Sequence, residues 1–335
     1  MRNYGKGNGQ IKQICVVTRD IKKAMKNYWE LLGIGPWDVR HFSQGKVKDF
    51  MIDGKPVTED FDYICAVTWV GGVEFELIEP VKGPNIYYRF LEAKGEGLHH
   101  FKYVIPNNDD LAEFVKYMES EGCKVLQTGW MDNDVHYYMD TEKDMGMILE
   151  LGNGGTIGAP DYVYPSDAKR PGNLRIPNYR QVCVLVEDVN RSMKWYCDVL
   201  GFGPWDVRHF TPKTLSYLKV DGKDVTEDYD FICACTWVGD MEIELVQPIK
   251  GPIVYWDQFR KRGESIHHIK DVMPNREMEN YISYLESKGC RLLQTGKIHD
   301  DIHAYMDTDT NLHMILELGN GEDCGAPDDV YPPQK

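Results

Sequence analysis

The residues best suited to chemistry are two His pairs. Gly97-Leu98-His99-His100-Phe101-Lys102 returns later as Ser265-Ile266-His267-His268-Ile269-Lys270. Side chains alternate faces along a strand, so His100 and Lys102 share one face while His99 and Phe101 share the other. Polar groups on a face that core should occupy break the pattern, and such breaks mark sites. Other apolar runs carry polar residues at matched points: Gln13, Glu76 and Glu150 in the first half, Gln181, Glu244 and Glu317 in the second. Counted through the His, the spacings are 63, 24 and 50 residues, then 63, 24 and 49. One imidazole, two carboxylates and an amide oxygen make an N/O donor set suited to Zn, Ni, Co or Mn. Two carboxylates on core positions are costly without a cation, so one divalent ion per repeat is expected. Taken singly, each group also reads as a hydrogen-bonded core residue.

These residues need strands to position them, and the repeat supplies the strands. Ile34–Phe42 recurs as Phe202–Phe210, Val57–Tyr63 as Val225–Phe231, and Ile148–Gly154 as Ile315–Gly321. The chain is a tandem duplication, with copies at 8–158 and 177–325, a linker at 159–176 and a tail at 326–335. The tail and linker share a Gly-Ala-Pro-Asp pattern, so this segment belongs to the repeat and packs on it. Within copy one, Ile11–Val17 reads as a strand. Arg19–Leu32 has apolar residues at helical spacing and stops at Gly33. Strands follow at about 38–43, Tyr63–Val70 and Val73–Ile78, with Gly71-Gly72 as a hairpin turn. A second round gives a strand at Leu98–Val104, a helix at Asn108–Glu121, and strands at about 123–128, 134–140 and 146–151. The order βαβββ thus occurs four times. The fold class is α+β: four modules, each with one apolar sheet face, pairing into two cupped-sheet domains. Pairing within a copy and pairing across copies are both open.

Composition excludes several function classes. With 42% hydrophobic and 27% charged residues the chain is an ordinary globular protein. A net charge of −15 argues against nucleic acid or an anionic membrane as partner. No signal peptide and no membrane span are expected, which suggests the cytoplasm. Nine Cys without a CxxC pair read as reduced, mostly buried thiols. The expected partner is a small-molecule substrate, and the oligomeric state is monomer or homodimer.

On these residues the chain resembles the vicinal oxygen chelate superfamily, which includes glyoxalase I, methylmalonyl-CoA epimerase, extradiol dioxygenases and bleomycin-resistance proteins. The resemblance rests on the βαβββ order and on Tyr28–Gly33 with Tyr196–Gly201. Glu76–Pro80, Gly97–His100 and Ile148–Leu151 complete it. It covers nearly the whole chain. It implies metal ligands at Gln13, Glu76, His100 and Glu150, and at Gln181, Glu244, His268 and Glu317. Extradiol dioxygenases use two His and a carboxylate, whereas Gln in both copies leaves one His per site. The resemblance therefore implies a lyase or isomerase of glyoxalase or epimerase type. There, a metal-polarised carbonyl makes the neighbouring C–H acidic and a carboxylate takes the proton. Glu150 and Glu317 are the expected bases, with Glu76 and Glu244 across the ion. The alternatives are a binder that sequesters a small ligand and, third, a dioxygenase.

Around these ligands, Lys102 and Lys270 share the ligand face, where they either meet a substrate anion or reach solvent. Tyr138 and Tyr305, with His136 and His303 at matching parity, are further pocket candidates. Trp37, Arg40 and His41, with Trp205, Arg208 and His209, either line the pocket mouth or form a rigid turn with the Trp packed on the helix.

Overall fold

The computed structural model describes residues 6–166, 169–171 and 174–333. Among the described residues two compact units emerge: 6–143 with 147–176, and 177–333 with 144–146.

In the first domain most strands and helices follow the apolar periodicities. In chain order they are β1 (Gln10–Val17), α1 (Ile21–Leu32), β2 (Trp37–Ser43), β3 (Lys48–Ile52), β4 (Lys55–Pro56), β5 (Asp62–Val70), β6 (Val73–Lys82), α2 (Ile86–Ala93), β7 (Gly97–Val104), α3 (Asn108–Ser120), β8 (Val125–Met131), β9 (Asp134–Met139), β10 (Ile148–Gly152) and β11 (Tyr162–Tyr164). Helix α1 begins where the Asp20 carboxylate accepts from the Lys23 amide. It ends at Gly33, whose φ of 66° suits glycine. Ile21, Met25, Tyr28 and Leu32 form its buried stripe.

All eleven strands join one sheet, in the order β11-β2-β5-β6-β1-β7-β10-β9-β8-β3-β4. The two βαβββ modules meet where β1 runs antiparallel to β7, so the modules pair within one copy. The second domain repeats this order, with Tyr179–Leu185 at its centre between Met241–Lys250 and Ser265–Val272. Each sheet curls, as the α+β reading expected. One face packs under helices: Tyr28 of α1 meets Trp37 and Phe75, and Phe114 of α3 meets Tyr103.

The other face is only partly filled, by the β3–β4 hairpin and α2, neither of which the periodicity had shown. Helix α2 docks through the Ile86 amide, which donates to the Gln127 Oε1 at 3.1 Å. The segment read as a linker contributes β11, which pairs with β2, and Asp329–Tyr331 pairs likewise with Trp205–Phe210. All nine Cys are free. Among the described residues, no helix is long and apolar enough to cross a membrane.

Candidate metal centre

Register places the functional side chains on the concave face. Cys15 of β1 stands directly opposite Glu76 of β6 on one side and His100 of β7 on the other. Two residues away, Gln13 stands opposite Glu74 and Lys102. Lys102 in turn faces Glu150 of β10, and Glu150 faces Tyr138 of β9. Period two then puts all of these on one side of the sheet.

At the centre, His100 Nε2 lies 2.8 Å from Glu150 Oε2 and 3.6 Å from Glu76 Oε2. In the second domain, His268 Nε2 lies 2.7 Å from Glu317 Oε2 and 3.4 Å from Glu244 Oε2. Donors bound at about 2.1 Å to one ion lie roughly 3.0–3.4 Å apart, close to these separations. Gln13 Oε1, Glu76 Oε2, His100 Nε2 and Glu150 Oε2 are all buried without a hydrogen-bond partner, and so are the four matching atoms of the second domain. Buried polar atoms in well-packed protein are almost always partnered. Eight orphans at eight matched donor positions fit a divalent cation in each domain. Glu74, Glu76, Asp134 and Glu150 surround one Lys at the first site, so the local charge also favours a cation.

Neighbouring groups orient these donors. Lys102 Nζ lies 3.1 Å from Glu150 Oε1 and 3.1 Å from Asp134 Oδ2. Lys270 repeats this with Glu317 Oε1 at 3.1 Å and Asp301 at 3.7 Å. Burial opposes the ammonium, but Glu150 and Asp134 outweigh it and keep Lys102 charged. Burial opposes ionisation of Glu150 too, yet Lys102 and His100 hold it well below the usual carboxylate range. Neither Lys reaches solvent as a free end; each is the clamp on its Glu. Gly152 makes room for this clamp, because a Cβ there would lie 2.3 Å from Lys102 Cε. On the far side, Gln13 Nε2 donates to Glu74 Oε1 at 3.3 Å and Gln181 Nε2 to Glu242 Oε2 at 2.8 Å. A carboxylate accepts, so each amide oxygen is turned the other way, where it has no partner.

The His pair departs from simple alternation. A bulge in the β1–β7 ladder skips His99, with Cys15 opposite His100 and Val16 opposite Leu98. His99 therefore does not share the Phe101 face. Its ring packs on Tyr87, Phe90 and Tyr138, and its Nδ1 lies 2.7 Å from His100 Nδ1. Burial, then His100, pushes His99 well below the ordinary imidazole pKa, so it stays neutral. Were His100 Nε2 to face a cation, its Nδ1 would carry the proton and donate to His99 Nδ1. His267 and His268 make the same contact at 2.8 Å.

Several expected pocket residues fall in place around this centre. Tyr138 and Tyr305 line their cavities and share hydroxyl contacts of 2.9 Å with Tyr87 and Tyr255. His136 is buried, its pKa lowered to about 4 by that burial, and His303 lines the second cavity. Arg40 and Arg208 also line the walls, each tied to a carbonyl, Gly158 or Gly325. Trp37 and Trp205 do not line the mouth. Both are fully buried, packed on Tyr28 and Tyr196, so the rigid-turn reading of that motif holds for the Trp. His41, half-buried, and His209, exposed, lie outside these two cavities on the outer strands.

Sequence reasoning passed over Cys15 and Cys183. Cys15, Glu76 and His100 bring their donor atoms within 4.8 Å of one another, as do Cys183, Glu244 and His268. It also passed over Glu74, Asp134, Tyr87 and their counterparts. Parity held the signal for three of them: Cys15 is two residues from Gln13, Glu74 two from Glu76, and Asp134 four from Tyr138. Tyr87 sits on α2, which had no visible signal.

A family model described as the glyoxalase/bleomycin resistance protein/dioxygenase superfamily matches residues 12–138 and 180–305. The chain belongs to this superfamily. Its fold is similar to a mutant 4-hydroxymandelate synthase from Streptomyces coelicolor, with a TM-score of 0.60 and 13% identity over 95% of this chain and 94% of that one. A Mn(II)-bound glyoxalase from Novosphingobium aromaticivorans aligns with a TM-score of 0.52 and 12% identity, over 96% of this chain and 83% of that one. BphC, a halotolerant catechol dioxygenase, aligns at 0.51 and 11%, over 97% and 90%. At such identities the likeness establishes the superfamily fold alone. No curated protein matches the chain.

Proposed function

We propose that each domain is a metal-dependent lyase or isomerase site of glyoxalase or epimerase type. The observation that carries this is the set of four buried donor atoms without hydrogen-bond partners on one sheet face in each domain, one nitrogen and three oxygens, with the His nitrogen within 3.6 Å of both Glu oxygens. Gln13, Glu76, His100 and Glu150 would hold a divalent ion, which when bound would supply Lewis-acid polarisation of a substrate carbonyl. Glu150 is clamped through Oε1, which leaves Oε2 as the atom that would hold the ion at rest and, on leaving it, take a proton from the neighbouring carbon. Glu76 Oε2 faces it across the same space and balances the charge. Gln13 cannot accept a proton at neutral pH and orients by its amide oxygen. Glu317, Glu244 and Gln181 repeat these roles.

A single imidazole per site distinguishes this from the two-His, one-carboxylate set of oxygen-activating iron enzymes. The complete donor set distinguishes it from a binder that sequesters ligands without metal. The first test is metal analysis of the gently purified chain, with about one equivalent per domain expected. Less than one per chain sinks the reading in favour of a binder. The second is solvent deuterium incorporation next to the carbonyl of hemithioacetals, acyl thioesters and 2-oxo acids, followed by NMR. Exchange on one of these, lost by 10²–10⁴-fold in a Glu150→Gln, Glu317→Gln variant that still holds metal, is the expected result. Oxygen uptake with catechols and no exchange would replace the reading with a dioxygenase.

A further inference from the structure

The second domain holds another cavity, of about 390 Å³, that shares no lining residue with the one over its donor floor. It borders the helix Tyr255–Arg262, the counterpart of α2, and is within the size range of small-ligand sites. A difference between the domains makes it. In the first, the Phe90 ring of α2 packs edge-on against His99, with centroids 4.8 Å apart. In the second, Gln258 takes the Phe90 position, and its amide donates to Ser265 Oγ at 3.1 Å and to the Ile266 carbonyl at 2.7 Å. The ring contacts of His99 with Tyr87 and Tyr138 recur at His267 with Tyr255 and Tyr305. The Phe90 contact does not recur, and His267 lines the cavity instead.

His267 is 1% exposed, and its Nδ1 is turned to His268 at 2.8 Å. Its Nε2 has no partner among the described residues. A buried ring nitrogen that lines a cavity without a partner is one that a ligand can satisfy. Arg262 lines the same cavity, with its side chain 6% exposed and 3.2 Å from Asp309. The apolar wall is made by Ile253 and Ile315 of the core, with Leu293 and Trp256 packed against them.

Charge narrows the ligand class. Four cations and four carboxylates line the cavity, so neither sign prevails. A ligand of one sign meets as much repulsion as attraction there, whereas a ligand carrying both signs meets a complement at each end. Asp309 is shared by Arg262 and Lys261, while Asp307 has only Arg291 at 3.7 Å, which leaves Asp307 the better partner for an ammonium.

We infer that this cavity is a second binding site, built in the second domain, for a small zwitterion with an apolar side chain, the chemistry of a free α-amino acid. Its carboxylate points toward Arg262 and His267, its ammonium toward Asp307, and its side chain lies on the apolar wall. The assignment does not draw on the metal centre.

In the test, L-leucine and L-phenylalanine are titrated calorimetrically into the full chain. Each is compared with its deaminated acid (isocaproate, hydrocinnamate) and its decarboxylated amine (isoamylamine, phenethylamine). At least one amino acid is expected to bind at about one per chain, and about tenfold or more tighter than both of its analogues, the loss of one charge-assisted contact. Gln258→Phe, which restores the ring of the first domain, lowers that affinity at least about tenfold by filling the space. Asp307→Asn, a change at the rim that spares the core, weakens the amino acid and leaves the deaminated acid unchanged. No binding of either amino acid at millimolar concentration, or binding no tighter than that of an analogue, overturns the assignment. Affinity that survives Gln258→Phe overturns it too, because the ligand then sits elsewhere, for instance on an ion at a donor floor. If Gln258→Phe does not fold, unchanged amino-acid affinity in Asp307→Asn overturns it.

Discussion

The two domains agree on the cavity floor and differ on its walls. His–Glu separations of 2.8 and 3.6 Å in the first become 2.7 and 3.4 Å in the second. The Lys–Glu clamp is 3.1 Å in both, and the His–His contact is 2.7 against 2.8 Å. On the walls, Val67 becomes Cys235, Met131 becomes Ile298 and Ile157 becomes Cys324. Two of these changes, Val to Cys and Ile to Cys, put a smaller side chain on the wall, and the second cavity is the larger, 590 against 420 Å³. Electrostatic arrangements tolerate little movement, because a misplaced buried charge costs several kcal/mol, whereas a methylene more or less costs about one. On the proposed function, the floor therefore carries the chemistry. The walls are where the two sites are free to prefer different substrates.

The hardest blow to this comparison is a variant that removes the nitrogen from one floor and spares the other. His100→Ala leaves two carboxylates facing each other with no imidazole, and metal content is expected to fall from about two equivalents per chain to about one. His268→Ala has the same effect, and the double variant holds almost none. If either single variant loses both metals, the domains are not independent sites. If neither loses any, His100 and His268 are core residues.

Next in size is the second His of the bulge. His99→Phe keeps the ring in its aromatic nest but removes the acceptor for His100 Nδ1–H, leaving that proton unmatched in a buried place. A loss of metal affinity of about 10- to 100-fold is expected in the first domain, with the second unchanged. His267→Phe gives the mirror result. Competition against a chelator measures both. No change in affinity would make the His–His contact incidental.

Much of this was legible in the sequence, and the gaps have physical causes. The four buried polar positions were visible because a polar residue in an apolar strand breaks a period-two pattern that nothing else obscures. The duplication showed the same breaks twice. The bulge at His99 was hidden, since it inserts one residue into a ladder without altering local composition. Helix α2 was hidden too: Ile86–Ala93 is short and mostly apolar, so its pattern does not separate a helix from a strand. Lys102 posed a different problem. Whether a Lys snorkels or is clamped depends on Asp134 and Glu150, each more than 30 residues away in sequence.

Smaller effects come from exchanging the walls. Cys235→Val with Cys324→Ile gives the second cavity two side chains of the first. It should shift the second domain's ligand preference toward smaller probes by about 3- to 30-fold, without changing metal content. Domain-selective titration, with His100→Ala silencing the first site, isolates the effect. A change in metal content instead would mean that walls and floor are not separable.

The smallest expected effect tests whether the floors match in titration as well as in geometry. Glu74 and Glu242 are each pushed up to about 7, chiefly by burial, with Glu76 or Glu244 adding repulsion and the facing Lys opposing it. A carboxyl whose folded pKa exceeds its unfolded value of about 4.5 favours folding while protonated. That contribution is complete below pH 4.5, declines as pH rises through about 7, and has nothing further to lose above it. The metal-free chain should thus lose stability across this window, on the order of 1–3 kcal/mol per domain. Glu74→Gln and Glu242→Gln can still accept from Gln13 and Gln181 but cannot ionise, so each should flatten half of the decline in Tm against pH. Because Glu242 makes the shorter contact to its Gln, 2.8 against 3.3 Å, equal halves would show that burial sets both pKa values. Unequal halves would show that the amide contact does, and the two floors would then differ in electrostatics despite their matched geometry.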